Sequence, residues 1–244
     1  DGIVSELFSF RRAGGDDDYA LRPELTPTVA RLAANAVRQR PLPLRWFGIG
    51  PFFRGERPQR GRLREFQQWN ADVIGDPSIN AELDLLSLLA GNLERFGLRP
   101  GEVTIRLSHR DAVADVLQSL GVPDTQLHEA FTLLDRKEKM TPESFAEKVA
   151  PLGLHADEIA KLDAVLSSAG TTDALCQTMG NLGLDTNGLE PLLDLAQPLR
   201  DAGLEDWVTF DPGIVRGLAY YTGTVFEVHE CQGAERAIAG GGRY

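Results

Sequence analysis

Two runs of aromatic and β-branched residues, from Leu42 to Phe52 and from Arg64 to Gly75, predict a pair of strands. The segment between them contains Gly55, Pro58 and Gly61, so we expect a long-looped antiparallel hairpin. Strand side chains alternate between faces. One face of the second strand therefore carries Arg64, Phe66, Gln68, Asn70 and Asp72, and the other carries Glu65, Gln67, Trp69, Ala71 and Val73. The first face combines an aromatic ring with polar groups, which suits the floor of a small-molecule site.

A second pattern, with apolar residues every three or four positions, fills the middle of the chain and predicts helices. These predicted helices are separated by Gly and Pro signals and run from Asp111 to Leu120, Asp124 to Leu134, Thr141 to Ala150, Ala156 to Ser168, Thr171 to Gly180 and Leu189 to Ala202. We expect them to form a small helical domain. An earlier helix is predicted from Val29 to Gln39, where Thr26 ahead of Pro27 is a candidate N-terminal cap.

Charge separates these two regions. The chain has a net charge of -11, yet five arginines fall within eleven residues of the hairpin loop: Arg54, Arg57, Arg60, Arg62 and Arg64. Residues 108–205 hold 17 acidic and 7 basic side chains, whereas residues 1–107 hold 14 acidic and 15 basic ones. Forked guanidinium groups bind phosphate oxygens in pairs, so the loop is a candidate site for a polyanion. The alternative is a solvated hairpin tip.

Four segments of the chain resemble one family. Phe53 to Gln68 resembles the second signature motif of class II aminoacyl-tRNA synthetases in its histidine-specific form. Leu21 to Thr26 resembles the histidine and ATP segment of histidyl-tRNA synthetases, and Val215 to Gly223 resembles their histidine-binding signature. Gly240 to Tyr244 is similar to the glycine run before their third motif. The order and approximate spacing of the four segments make coincidence improbable.

This resemblance implies an α+β fold in which a class II antiparallel sheet is flanked by helices and interrupted by a helical insertion. It predicts a first part of the catalytic core in residues 1–109, an insertion domain in 110–205 and a second part of the core in 206–244. In the family the insertion embraces the acceptor stem of tRNA(His), and the enzyme is a homodimer. The family's first motif is missing and the third lies beyond Tyr244, so we expect a piece of a longer chain.

The implied reaction activates histidine with ATP and transfers it to tRNA. By motif position, Arg54 and Arg216 are the expected catalytic groups, because positioned cations stabilise charge that builds on the α-phosphate. Arg54, Glu56, Arg62 and Phe66 are the expected ATP contacts, with the Phe66 ring stacked on adenine. Mg²⁺ is expected to accompany the ATP phosphates.

The resemblance also implies a histidine site made of Glu24, Thr26, Gln68, Asp72, Tyr220 and Tyr221. A carboxylate and a hydroxyl suit an ammonium group, while a phenol with an amide or carboxylate can satisfy both imidazole nitrogens. Consecutive strand residues face opposite ways, so one of the two tyrosines is a candidate for packing alone. Ala219 departs from the Asp that is common in the family. Together with Gln68-Trp69-Asn70, it is consistent with a sub-branch similar to cyanobacterial and plastid enzymes.

Other features of the sequence narrow the expected setting of the protein. No apolar run reaches the length of a membrane span. Cys176 and Cys231 lie far apart, and the four histidines form no ligand pair at helical spacing, so we expect no protein-bound zinc. These features favour a cytoplasmic protein without a membrane partner.

A binding module of the same fold is the alternative function. The histidine-sensing regulatory subunit of ATP phosphoribosyltransferase and a pseudo-synthetase domain of a stress kinase both resemble this family without aminoacylating. The segment Glu56-Arg57-Pro58-Gln59 and the arginine set favour the enzyme, because a protein that only binds histidine does not need a phosphate cradle.

Overall fold

A computed structural model describes residues 2–58, 60–137, 140–215, 220–233 and 236–244. Its chain divides into two compact units, Asp1–Leu88 and Leu89–Tyr244. The architecture is mixed α+β, as predicted. The expected three-part division of the chain, with its helical insertion in residues 110–205, stays a prediction.

The first unit is built around a long β-ribbon. Its strands are β1 (Ser9–Arg11), β2 (Asp18–Ala20), β3 (Leu44–Phe53) and β4 (Glu65–Ile74), and its helices are α1 (Thr26–Ala36) and the start of α2 (Asn80–Arg95). β1 pairs with β2, and β3 pairs with β4 in an antiparallel ladder that runs from Leu44 opposite Ile74 to Phe53 opposite Glu65. The predicted hairpin is therefore confirmed to within two residues at each end.

In its described residues, the second unit contains a four-stranded sheet, the end of α2 and the helices that lie between the first two strands of that sheet along the chain. Its strands β5 (Val103–His109), β6 (Val208–Phe210), β7 (Thr224–Glu230) and β8 (Ala239–Gly242) lie in the order β6-β5-β7-β8. β5 pairs antiparallel with β7 and β7 with β8, but β5 and β6 are parallel. The sequence predicted an antiparallel sheet, and this pair differs because the whole helical segment connects the two strands and is long enough for a parallel crossover.

The helices between β5 and β6 follow the predicted pattern closely. They are α3 (Arg110–Ser119), α4 (Leu127–Asp135), α5 (Pro142–Val149), α6 (Ala156–Leu166), α7 (Thr172–Asn181) and α8 (Glu190–Asp201). Local side chains fix their starts: the hydroxyls of Thr141 and Thr171 each accept a hydrogen bond from the backbone N–H three residues later. Each helix then buries one apolar stripe, so the core of this unit comes from the periodicity itself.

Candidate functional site

One face of the β3–β4 ribbon carries three of the predicted ligand-contacting side chains, Phe66, Gln68 and Asp72. Along β4, Phe66 and Gln68 are half-buried, whereas their neighbours Glu65, Gln67 and Trp69 are exposed. The alternation predicted from the sequence is therefore confirmed from Glu65 to Asn70, whereas Ala71 and Val73, predicted on the other face, are half-buried like Asp72. We call the half-buried side, which includes Phe66, Gln68, Asn70 and Asp72, the inner face of the ribbon.

Two glycines of β3 pair with residues of this face and leave room on it for another segment. Gly50 pairs with Gln68 and Gly48 with Asn70. A Cβ atom at Gly50 would lie 2.7 Å from Nη2 of Arg22, and one at Gly48 would lie 3.0 Å from Cδ2 of Leu25. The absent side chains therefore let the segment from Leu21 to Thr26 lie against the ribbon.

Arg22 fastens that segment to the ribbon. Its Nη2 donates to the carbonyl oxygen of Pro51 at 2.9 Å, and its guanidinium carbon lies 4.6 Å from the ring centroid of Phe52. The backbone N–H of Phe53 donates in turn to the carbonyl oxygen of Arg22 at 2.9 Å. Sequence reasoning gave Arg22 no role, although the glycine opposite Gln68 was a signal that something approaches there.

Glu24 and Thr26, the two predicted histidine contacts of this segment, are both half-buried. Thr26 is the first residue of α1, and Leu25 occupies the N-cap position without a side-chain hydrogen bond. The expectation that Thr26 caps this helix is wrong, because the helix begins three residues earlier than predicted and includes it. The Thr26 hydroxyl therefore does not cap α1.

Arg54 joins the segment to the ribbon's base. Its Nε donates to the carbonyl oxygen of Pro23 at 2.9 Å, and its guanidinium carbon lies 5.4 Å from the ring centroid of Phe66. Phe66 stacks in turn on Phe52, its cross-strand partner, at 6.2 Å between centroids. A planar cation and an aromatic ring thus share one end of the inner face.

A carboxylate organises the arginines of the loop. Glu56 accepts a hydrogen bond from Nη1 of Arg62, and its Oε1 lies 3.8 Å from Nη1 of Arg54. The backbone carbonyl of Glu56 also accepts from Nε of Arg64 at 3.3 Å. Three of the five clustered arginines therefore surround one acidic residue, which holds like charges together near Phe66.

Farther along the inner face, two amide oxygens are left without hydrogen bonds. Oε1 of Gln68 and Oδ1 of Asn70 are buried, and among the described residues neither has a partner. An orphaned buried acceptor costs about 1–3 kcal/mol. Such groups call for an explanation, and a ligand or ordered water that donates to them would remove the cost. Asp72, half-buried two residues on, completes this row.

The tyrosine pair belongs to the second unit. Tyr221 is 8% exposed and forms a core cluster with Ile214 and Val225, while Tyr220 is only partly buried and packs against that cluster. The two rings lie 4.9 Å apart between centroids. Tyr220 is thus the more accessible phenol, and Tyr221 contributes more to packing.

An aspartate that sequence reasoning missed fixes the segment before the histidine-binding signature. Asp211 is 4% exposed, accepts from the backbone N–H of Gly213 at 2.9 Å and lies 3.4 Å from Nη1 of Arg106. Its own N–H donates to the carbonyl oxygen of Leu107 at 2.8 Å. Asp211, which precedes the histidine-binding signature, is therefore held against β5 by its contacts with Arg106 and Leu107. The expected catalytic Arg216, with Ala219, lies outside the described residues.

The glycine run closes the other side of the signature. The N–H of Thr222 donates to the carbonyl oxygen of Arg243, and the N–H of Arg243 donates to that of Thr224. A Cβ atom at Gly241 would lie 2.8 Å from two atoms of the Phe226 ring. A side chain there would collide with the ring, so the close approach of β8 to β7 requires glycine.

The described residues contain neither a cluster of metal ligands nor a candidate membrane-spanning helix. In the described ranges, no three His, Cys, Asp or Glu side chains come together in a way that could hold a metal ion. Cys176 and Cys231 are free thiols. No described helix combines the length and apolar character needed to cross a bilayer.

The chain matches one family of known proteins along almost its whole length. Residues 5–244 match the family model described as histidyl-tRNA synthetase. The chain is 40% identical over 254 residues to a histidine--tRNA ligase of Opitutus terrae, covering all of this chain and 56% of that protein. It is 38% identical over 242 residues to the chloroplastic/mitochondrial histidine--tRNA ligase of Arabidopsis thaliana, covering 99% and 49%. The chain thus spans about half the length of these relatives.

Solved structures show the same fold. An ATP phosphoribosyltransferase regulatory subunit/histidyl-tRNA synthetase from Bacillus halodurans C superposes with a TM-score of 0.81 at 27% identity, covering 98% of this chain and 61% of that one. A histidyl-tRNA synthetase from Nostoc sp. PCC 7120 gives a TM-score of 0.77 at 23% identity, covering 98% and 56%.

Proposed function

The chain belongs to the histidyl-tRNA synthetase family, and from this membership we propose that it carries histidine- and ATP-binding residues of a histidine--tRNA ligase. The observation that carries the proposal is the arrangement of Arg54, Glu56, Arg62 and Phe66. The Arg54 guanidinium lies over the Phe66 ring, and Glu56 binds Arg62 and lies near Arg54. An aromatic ring beside clustered arginines fits a nucleoside triphosphate better than histidine alone.

The proposed reaction has two steps. A carboxylate oxygen of histidine attacks the α-phosphorus of ATP, the bond from that phosphorus to the bridging oxygen breaks, and pyrophosphate leaves. A ribose hydroxyl at the 3′ end of tRNA(His) then attacks the acyl carbon of the adenylate, loses its proton and expels AMP. Because the protein forms no covalent bond, its contribution is positioning and electrostatic stabilisation.

At the ATP end, we propose that Arg54 binds the α-phosphate and that Phe66 stacks on adenine. Glu56 and Arg62 would close over the nucleotide. The Nε of Arg54 donates to a backbone carbonyl, and the N–H donors of Nη1 and Nη2 of the same guanidinium group can bind a phosphate. Arg216 is proposed as the second catalytic arginine. Mg²⁺ would be held mainly by phosphate oxygens, since these residues supply cations and one engaged carboxylate.

At the histidine end, we propose contacts from Gln68, Asp72, Glu24 and Thr26, together with Tyr220 and Tyr221. The buried, unpartnered oxygen of Gln68 supports this assignment, because a donor from the substrate would satisfy it. Thr26 supports it too, since its hydroxyl is not used to cap α1.

The partners of the whole protein are also proposals. We propose that tRNA(His) is the acceptor and that the protein works as a homodimer. The helical segment is acidic overall, so phosphate contacts there would need local basic clusters, whereas the arginine-rich loop already has one.

A second candidate function is a histidine-sensing regulatory subunit. It is favoured by the likeness to the ATP phosphoribosyltransferase regulatory subunit/histidyl-tRNA synthetase from Bacillus halodurans C. That function needs histidine binding but no transfer of an adenylyl group, so the two candidates differ in one measurable reaction.

Histidine-dependent exchange of labelled pyrophosphate into ATP tests the proposal, with the complete gene product and other amino acids as controls. If the protein is a ligase, we expect pyrophosphate exchange in the presence of histidine and with no other amino acid. Gln68→Ala should raise the KM for histidine about tenfold, the loss of one hydrogen bond. Gln67→Ala, the same change on the exposed face, should leave exchange unaltered. Histidine binding without any exchange would identify the regulatory candidate instead.

A further inference from the structure

Asn70 carries the second unpartnered amide oxygen of the inner face, and the proposed function does not use it. Its Oδ1 is buried without a partner among the described residues, as is Oε1 of Gln68. We propose that the Asn70 amide hydrogen-bonds the imidazole ring of bound histidine. This inference rests on the proposed function, because it assigns one more contact within the same substrate site.

The first argument is the position of Asn70 between two proposed histidine contacts. Strand residues advance about 3.3 Å each, so the Cα atoms of Gln68 and Asp72 are about 13 Å apart and Asn70 lies midway on the same face. Any ligand that reaches both Gln68 and Asp72 must therefore pass over Asn70.

The second argument is what lies across the ladder. Asn70 pairs with Gly48, which has no side chain to cover the amide. Leu25 approaches instead, within 3.0 Å of where a Gly48 Cβ would be. Since Glu24 and Thr26 flank Leu25, the proposed contacts for the amino group of histidine belong to a segment that reaches this part of the ribbon.

The third argument is the direction of the substrate. Arg54 lies over Phe66, at the N-terminal end of β4. If Arg54 binds the α-phosphate, the attacking carboxylate lies at that end as well. The imidazole is the opposite end of the amino acid, so it extends along β4 toward Asn70 and Asp72.

The chemistry of the two groups matches. A neutral imidazole has one N–H donor and one nitrogen acceptor, and a carboxamide has both an acceptor oxygen and donor hydrogens. A half-turn of the amide exchanges its oxygen and nitrogen, so Asn70 can meet either nitrogen of the ring. An aliphatic side chain at position 70 could meet neither.

The test combines a change in the protein with a change in the ligand. Histidine and its two ring N-methyl isomers are titrated by calorimetry into the wild-type protein, Asn70→Ala and Gln67→Ala. We expect Asn70→Ala to bind histidine about tenfold more weakly, with the KM for ATP unchanged and the melting temperature of the unliganded protein not lowered. We also expect the penalty for one methyl isomer to shrink in Asn70→Ala, because the contact blocked by that methyl group is already lost.

Other outcomes overturn the inference. If Asn70→Ala binds all three ligands as the wild type does, Asn70 makes no contact with the ring. If the affinities for histidine and ATP fall together with the melting temperature, Asn70 is structural. A wild-type protein that binds no histidine refutes the proposed function and this inference with it, whereas binding without pyrophosphate exchange refutes only the ligase and leaves the Asn70 measurement decisive.

Discussion

The helices α3–α8 bury large apolar side chains, whereas the β3–β4 ribbon exposes several of them on one face. In the helices, leucines such as Leu162 and Leu192 are fully buried. In the ribbon, Phe47 and Ile49 are 75% and 71% exposed, while Gln68 and Asn70 on the other face have buried oxygens. The helical pattern therefore indicates an apolar core, whereas the ribbon pattern indicates one face that buries polar atoms.

This contrast has an energetic consequence. Burial of an apolar side chain stabilises a fold by about 1.5–3 kcal/mol, and the helices use this source repeatedly. A buried amide without a partner costs free energy instead. The inner face is thus stabilised by specific contacts, such as the stacking of Arg22 on Phe52, and it keeps polar groups that pure stability would not select. Substitutions in the ribbon should consequently affect activity more than stability, and substitutions in the helices the reverse.

The largest effect is expected for Arg54→Ala. Removal of a cation that stabilises charge on the α-phosphate should lower the rate of histidyl-adenylate formation about 10²- to 10³-fold. Pre-steady-state measurement of adenylate formation checks this. The matched control is Arg45→Ala, which removes an outer-face arginine paired with Asp84 at 2.7 Å. An exposed ion pair contributes about 0–1 kcal/mol, so this control should retain the wild-type rate.

Equal losses of rate in Arg54→Ala and Arg45→Ala would break the distinction between the two faces. A loss confined to Arg54→Ala but accompanied by global unfolding would assign Arg54 a structural role through its bond to Pro23. Thermal unfolding of both variants separates these results from the expected one.

The same contrast explains how much the sequence could predict. The helices α3 and α5–α8 lie within two residues of their predicted bounds, since periodicity and caps are local properties. The alternation along β4 from Glu65 to Asn70 was likewise predictable, because it follows from the pleat. The predicted helix from Asp124 begins instead as a 3-10 turn over Asp124–Gln126 and becomes α-helical at Leu127. The exact point of that change depends on the tertiary packing of the turn.

What could not be predicted depends on contacts between distant residues. The position of Arg22 over Phe52 and the attachment of Asp211 to Arg106 join segments far apart in the sequence. The parallel pairing of β5 with β6 also needs the path of the whole helical segment. Motif resemblance located Gln68, but the missing partner of its amide oxygen became visible only in the structure.

The next largest effect is expected in the helical segment, for Gly188→Ala. Gly188 lies in the short turn Asn187–Leu189, and an added Cβ would overlap the Asp115 side chain, including its Cβ at 2.7 Å. Overpacking of this kind costs about 1–3 kcal/mol. Urea denaturation should show that loss, and pyrophosphate exchange at a temperature where the variant is folded should be unchanged.

Gly180→Ala is the matched control for this change. Gly180 lies within α7, and an added Cβ would meet nothing within 4 Å. Alanine favours the helix over glycine by about 0.5–1 kcal/mol, so this variant should be more stable than the wild type. Destabilisation by both substitutions would mean that the two glycines share a requirement other than the space around them.

The smallest effect is expected for Asp115→Asn. Burial raises the pKa of the Asp115 carboxyl, and the charges of Asp111 and Asp185 raise it further. A folded-state pKa above the unfolded value means that the carboxyl contributes its stability while protonated, and that this stability is lost as pH rises through the folded-state pKa. Asp115→Asn should therefore be more stable than the wild type at pH 7, by less than about 1 kcal/mol because the site is partly solvated.

That advantage should vanish below about pH 4, the ordinary range of an aspartate pKa, where the wild-type carboxyl is protonated as well. Urea denaturation at the two pH values measures it. Asp157→Asn is the control: Asp157 is exposed in the first turn of α6, where a negative charge favours the helix, so its replacement should slightly destabilise the protein at pH 7. An Asp115→Asn variant less stable than the wild type at pH 7 would show that its carboxylate makes favourable contacts that outweigh its repulsion by Asp111 and Asp185. The helical segment would then also depend on a specific polar contact for its stability. Its contrast with the ribbon, which is apolar burial against polar contacts, would then be weaker.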